Sequence, residues 1–233
     1  MMVGKGIEDI NINMPRDAYD IGKDTPTFRA YLTIVVKDSE GKVVKVHRQR
    51  SHSPTANFIG LMIPLTYFNV TGNSYTIETT GGSTYNYKPA INVSAQCISY
   101  PSSAANAPSY IVMIQVGSGQ QSNPYTAYSL AAPIANGSGQ GQLVYGQPSV
   151  PPNITVSGSS AYFIISQTFN NSSGSTITIT EVGIVVNIQT ISSDGNNLTN
   201  FGNVLVWYDV LSSPISVPNG GSVTIYYTFM VNP

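Results

Sequence analysis

Three runs near the C-terminus decide the fold: ITITEVGIVVNI (177–188), NVLVWYDVLSSPISV (203–217) and SVTIYYTFMV (222–231), the last introduced by PNGG (218–221). Each is rich in Val, Ile, Tyr and Trp and bounded by turn residues, the composition of β-strands. In the third run Val223, Ile225, Tyr227 and Phe229 share one face, as a period of two requires. Pro218-Asn219-Gly220-Gly221 is a turn with a mechanism, since Pro fixes φ and Asn-Gly accepts positive φ at low cost.

Working backwards, residues 160–170 form a further strand that turns at 171–174 into this region. Residues 110–116 are a buried-looking strand, followed by long Gly- and Gln-rich connections over 117–150 that suit a functional surface or a segment ordered on assembly. Residues 74–79 and 91–100 are strands around a Gly81-Gly82 turn, and 101–108 is a small-residue linker. Residues 28–36 and 42–48 form a hairpin around Asp38-Ser39-Glu40-Gly41. Leu32, Ile34 and Val36 share a face, and the adjacent Val43 and Val44 make the return strand irregular. Ser53 is placed to cap a short helix opened by Pro54, with Phe58, Leu61 and Met62 as its apolar stripe. The expectation is an all-β, antiparallel, jelly-roll-like β-sandwich over 28–233. Residues 28–68 supply the hairpin and helix, 69–233 the main strands, and 1–27 an extended charged arm. Whether 69–108 is a separate sheet is left open.

The 233 residues suffice for a core without staples. Charged residues make up 9% of the chain, far below the usual quarter. Nine of the ten cations lie in the first fifty residues, with only Lys88 after them. Such a division fits two regions that face different surroundings, or a solvated N-terminal region. A surface with so few ionisable groups suits acidic conditions. The net charge of −1 gives no reason to expect nucleic acid. No run of about 18 apolar residues exists, so no membrane span is expected. The N-terminus MMVGKGIEDINI lacks the apolar stretch of a secretory signal, and Met1 speaks against a leader already removed. Seven Asn-x-Ser/Thr sequons begin at Asn69, Asn92, Asn136, Asn153, Asn170, Asn171 and Asn197 and point to an outer surface. An outer-surface composition without an export signal fits a particle assembled in the cytoplasm and then released.

No catalytic, metal or cofactor site is expected. Cys97 is the only cysteine; it excludes an internal disulfide and suits a buried apolar role. His47 and His52 are two ligands where zinc wants four. No Gly-x-Ser-x-Gly elbow and no phosphate loop occur. Glu181 stands in an otherwise apolar and Thr-rich strand. As a catalytic acid it needs a partner, and Asp209 is the one candidate nearby. The structural reading, preferred here for both residues, is an acceptor for backbone N–H groups at a strand end or bulge. Lys45, His47 and Gln49 alternate as a solvent or partner face. Lys45, His47, Arg48 and Arg50, together with the arm, are the candidate subunit contacts.

Short phrases recur in a telling order. They are IQVGSG (114–119), YSLAAPI (128–134), NSSG (171–174), ITEVGI (179–184) and DVLSSPISVPNG (209–220), preceded by the polar turn and apolar stretch of 53–68. Over residues 30–232 this order resembles virion structural proteins of tailed phages and archaeal viruses. The resemblance implies a non-enzymatic β-sandwich subunit of a capsid, turret, tail or fibre. It also implies a homo-oligomer with other virion proteins as partners, exposed on the particle. Family members often place Arg before the Asp. Tyr208 stands there in this chain, so an Arg pairing with Glu181 is unavailable. Alternatives from other classes are an adhesin for a host receptor or glycan, with the 117–150 loops and the Tyr and Trp rings as its contact surface, and a host surface-filament subunit.

Overall fold

The computed structural model describes residues 27–51, 53–59, 75–87, 112–151, 153–191 and 198–232. In chain order the strands are β1 (Thr27–Lys37), β2 (Val43–Ser51), β3 (Tyr75–Glu78), β4 (Thr84–Tyr87), β5 (Val112–Gly117), β6 (Val144–Tyr145), β7 (Thr155–Ser157), β8 (Ser160–Asn170), β9 (Ile177–Ile191), β10 (Leu198–Val217) and β11 (Ser222–Asn232). One sheet has the order β2-β1-β11-β8-β6, with β7 also on β8; the second is β10-β9-β5. All of these pairs are antiparallel. A separate small sheet pairs β3 with β4, which answers the question left open over 69–108 for the residues described. The second strand expected at 91–100 and the linker 101–108 lie outside the described residues.

The alternating residues of β11 face the opposing sheet as their spacing requires. Val223, Ile225 and Tyr227 are fully buried, with Phe229 beside them. From β1, Ala30, Leu32, Ile34 and Val36 join the same cluster, and from the second sheet Val182, Ile184, Val204 and Trp207 complete it. Each buried aliphatic or aromatic side chain contributes on the order of 1.5–3 kcal/mol, so this cluster is the main source of stability. The two sheets therefore pack as an antiparallel sandwich.

Two irregularities set the directions of side chains. Opposite Lys37, β2 carries a bulge between Val43 and Lys45, at the Val-Val pair that breaks the alternation. In β10 the register shifts between Leu205 and Trp207, which leaves Val206 unmatched on β9. Val206 and Trp207 then both enter the main core, while Leu205 and Tyr208 pack on the other face of the sheet. A bulge is the usual device for such re-aiming. Without it, strict alternation after Leu205 would send Trp207 outward.

The cap of the short helix falls two residues later than the sequence suggested. Residues 53–55 run extended along β10, with Tyr208 N–H donating to Ser53 O at 3.0 Å and Thr55 N–H to Val206 O at 3.1 Å. Thr55, not Ser53, then caps the helical turn at 56–59, accepting from Phe58 N–H through its hydroxyl at 3.4 Å. Pro54 lacks an N–H, yet its neighbours on either side can still pair with the strand, so the extended path is retained. Leu61 and Met62 lie outside the described residues. Asn57 ties the small sheet to this crossing, donating to Glu78 O at 2.9 Å and accepting from Glu78 N–H at 3.0 Å.

Candidate functional site

Glu181 lies on β9 with no exposed surface. Its Oε1 accepts from Ala132 N–H at 2.8 Å and Gly119 N–H at 3.2 Å. Its Oε2 accepts from Ala131 N–H at 2.9 Å and from the Tyr208 hydroxyl at 2.8 Å. A carboxylate offers about four lone-pair sites, and four donors meet them here. Thr180 adds a bond from its hydroxyl to Gly119 O at 2.7 Å. Tyr208 accepts in turn from Gln121 N–H at 2.7 Å. The connection after β5 is thus pinned at 119–121 and again at 131–132. Between these pins Ala127 and Leu130 pack on Val185, Leu205 and Tyr208. The first part of the Gly- and Gln-rich stretch is ordered by its own chain.

The glycines of the phrases have a steric reason. A Cβ on Gly117 would lie 2.3 Å from Glu181 Oε1 and 2.7 Å from Ala132 O. One on Gly183 would lie 2.6 Å from Leu205 Cδ1 and 3.0 Å from Trp207 O. At Gly117 the backbone Ala132 O cannot give way, so only glycine lets the loop approach this closely, whereas at Gly183 a side chain would have to displace the Leu205 methyl and press on Trp207 O. The phrases 114–119, 128–134 and 179–184, with Tyr208 beside Asp209, therefore meet at one place. Tyr208, the residue before Asp209, donates its hydroxyl to Glu181.

Asp209 faces the other way, because neighbours on a strand point to opposite sides. Its Oδ2 accepts from the Ser51 hydroxyl at 2.5 Å and from the Tyr227 hydroxyl at 3.0 Å. Trp207 Nε1–H donates to the same Ser51 hydroxyl. Asp209 thus ties β2, β10 and β11 together inside the sandwich. Glu181 and Asp209, weighed above as an acid–base pair, sit on opposite faces of one sheet. Burial first, and then the adjacent Glu181 and Asp209 carboxylates, hold the Tyr208 phenol well above its ordinary value. Burial followed by Asp209 does the same for Tyr227. Burial raises Tyr145 to about 12, although Val116 N–H also reaches its oxygen.

These shifts give an expected result in alkali. Below pH 10 the three phenols are protonated in both folded and unfolded chains and leave stability unchanged. Above the ordinary value of 10.0 the unfolded chain loses their protons and the folded chain keeps them, to about 12 for Tyr145. Stability should therefore fall as pH rises from 10 to 12. Denaturant midpoints measured across that range, beside a tyrosinate absorbance titration, check this; a Tyr145→Phe chain should fall less steeply.

The β2 face alternates as expected, and its residues reach their own chain. Lys45 Nζ donates to Pro214 O at 3.0 Å. Gln49 Nε2 donates to Val210 O at 3.0 Å, and Gln49 Oε1 accepts from Ser212 N–H at 2.9 Å. His47 lies between Gln49 Oε1 at 2.9 Å and the Ser213 hydroxyl at 3.5 Å. These contacts close one side of the sandwich, where residues 211–214 of β10 are unmatched on β9. Arg48 and Arg50 are exposed on the opposite face of β2, level with Thr33 and Tyr31. His52 lies outside the described residues.

Of the sequons, Asn136, Asn153 and Asn170 are exposed. Asn171 is 1% exposed, and its amide donates to Ser175 O and Val217 O, both at 2.8 Å. The folded chain leaves no room for a glycan there, so Asn171 is withdrawn as an acceptor. Asn69, Asn92 and Asn197 lie outside the described residues. Among the described residues two further amides are buried besides Asn171: Asn57, which holds Glu78 as above, and Gln167, which accepts from Ile114 N–H at 2.7 Å and donates to Gly146 O at 2.9 Å. Neither Asn57 nor Gln167 carries a sequence signal in a chain this rich in Asn and Gln.

A cavity of about 330 Å³ opens where the chain crosses from β2 to β10, with walls that include Phe28, Phe58, Trp207, Arg29 and Arg50. Among the described residues no cluster of His, Cys, Asp and Glu could hold a metal ion, and no helix is long and apolar enough to cross a membrane. Compared with known proteins, the chain matches no family model, no curated protein and no solved structure.

Proposed function

We propose that the chain is a virion structural protein, an exposed capsid, turret or tail-associated subunit that assembles in the host cytoplasm into a symmetric homo-oligomer. One observation carries this reading. Phrases whose order resembles virion proteins converge on the Glu181 clamp, where they act as architecture. Glu181 and Asp209, the acidic residues weighed for chemistry, are both engaged as buried acceptors. The low charge beyond residue 50 suits a particle surface, and the charged arm suits contact with a neighbour.

Quantitative peptide mass spectrometry on purified extracellular particles, beside a cell-envelope fraction, tests the proposal. Stoichiometric recovery in particles is expected. If glycans are present, they should fall on peptides of Asn136, Asn153 or Asn170, with Asn171 unmodified. Recovery in the envelope alone would overturn the virion reading. A particle lacking residues 1–27 should fail to assemble while the sandwich stays folded.

The second reading, a glycan- or receptor-binding adhesin, is favoured by the exposed Tyr125 and Tyr128 of the 117–150 connection and by the aromatic-walled cavity. Binding on a glycan array that is lost on Tyr125→Ala would support it.

A further inference from the structure

Among the described residues the first sheet ends at β2. β2 pairs with β1 on one side, and among the described residues nothing pairs with its other side. The strand is nine residues long and exposes Val43, Val44 and Val46 by 41%, 53% and 44%. A row of unpaired backbone groups beside exposed Val is a template for another strand. The bulge at Val44 blunts only the end nearest the hairpin turn.

The edge is also basic. Residues 43–51 carry Lys45, His47, Arg48 and Arg50 and no acid. A second β2 is therefore a poor partner, since it would set cation against cation. The chain holds a better one. Residues 1–26 carry five acids against three bases, whereas 27–51 carry six bases against two acids. Within the arm, Ile7-Glu8-Asp9-Ile10-Asn11-Ile12 combines branched apolar residues with two acids, with Ile10 and Ile12 at a spacing of two.

We propose that residues 7–12 of one copy add as an antiparallel strand to the open edge of β2 on a neighbouring copy. This deepens the subunit reading above and rests on it. With Ile10 opposite Val46, Glu8 falls opposite Arg48, Asp9 opposite His47, Asn11 opposite Lys45, and Ile12 runs towards Val44. A slip of one residue turns Ile10 against Lys45 or His47, so the apolar contact specifies the register, while either Glu8 or Asp9 can meet Arg48. After Arg50 only Lys88 is cationic, so this hairpin is where an acidic strand is drawn. Pairing with the chain's own β2 would need residues 13–26 to run back along the whole strand and cross it to enter β1. A donated arm needs no such return.

The test uses full-length chains in a Cys97→Ser background. Ile10→Cys and Val46→Cys proteins are made separately, mixed and mildly oxidised. A disulfide-linked dimer is expected from the mixture, with at least about tenfold less from Ile10→Cys with Arg50→Cys, which is out of register. Independently, Arg48→Glu should weaken self-association by about tenfold in sedimentation, and Glu8→Arg on the same chain should restore it. No linked dimer, or a link that forms only within a chain carrying both cysteines, overturns the proposal. Protein recovered in particles without the cross-link rejects arm pairing alone. A cross-linking protein absent from particles rejects the virion reading alone.

Discussion

Replacing Glu181 by Ala should destabilise the chain by about 3–5 kcal/mol, the cost of removing one partner from a buried charged network. Three backbone N–H groups and the Tyr208 hydroxyl would lose their acceptor in a site closed to water. Each unsatisfied donor costs roughly 1–3 kcal/mol before relaxation. For a chain of this size 1 kcal/mol moves Tm by roughly 2–4 °C, so a fall of about 10 °C is expected. Glu181→Gln should recover little. It preserves volume, yet its amide turns two N–H groups towards donors that require an acceptor. Denaturant unfolding of both variants, with Tyr208→Phe as the milder member of the series, measures this. A loss below about 1 kcal/mol for Glu181→Ala would show that apolar packing of Ala127 and Leu130 holds the loop by itself.

The second large effect is expected at Trp207. Its ring packs edge-on against Phe58 at 5.5 Å and Phe229 at 5.0 Å, and its N–H reaches Ser51. Truncation to Ala should cost about 3–5 kcal/mol through the cavity it leaves. Trp207→Phe separates the two contributions, since it keeps an aromatic ring and removes the N–H. About 1–2 kcal/mol is expected for it. Equal losses for Ala and Phe would place the whole effect in the hydrogen bond and contradict the packing account.

The strands were legible because their signals are local. Val223 to Phe229 alternate and are bounded by a Pro-Asn-Gly-Gly turn, and Gly220 takes the positive φ of 76° that the turn requires. The span of residues 160–170 was readable for the same reason. Glu181 could be read as an acceptor because an acid in an apolar strand has few other stable roles. Its donors could not be named, since they depend on which residues of a long connection return to β9. The Tyr208 contact was hidden by the bulge at Val206, which alternation alone cannot reveal. The helix cap was misplaced at Ser53 because a residue before Pro reads equally as a cap or as extended chain, and only the pairing with β10 decides between them. Lys45 and His47 were readable as a solvent or partner face, but their contacts on β10 could not be named because those residues are far away in sequence.

One buried carboxylate, Glu181, fastens the connection after β5. Amide hydrogen exchange at Gly119, Ala131 and Ala132, compared between the native chain and Glu181→Gln, tests it most directly. Slow exchange is expected at all three in the native chain. In the variant these amides should exchange faster by roughly a hundredfold or more relative to those of β11, the loss of about 3 kcal/mol of local protection. Unchanged protection at these three amides, relative to β11, would contradict it.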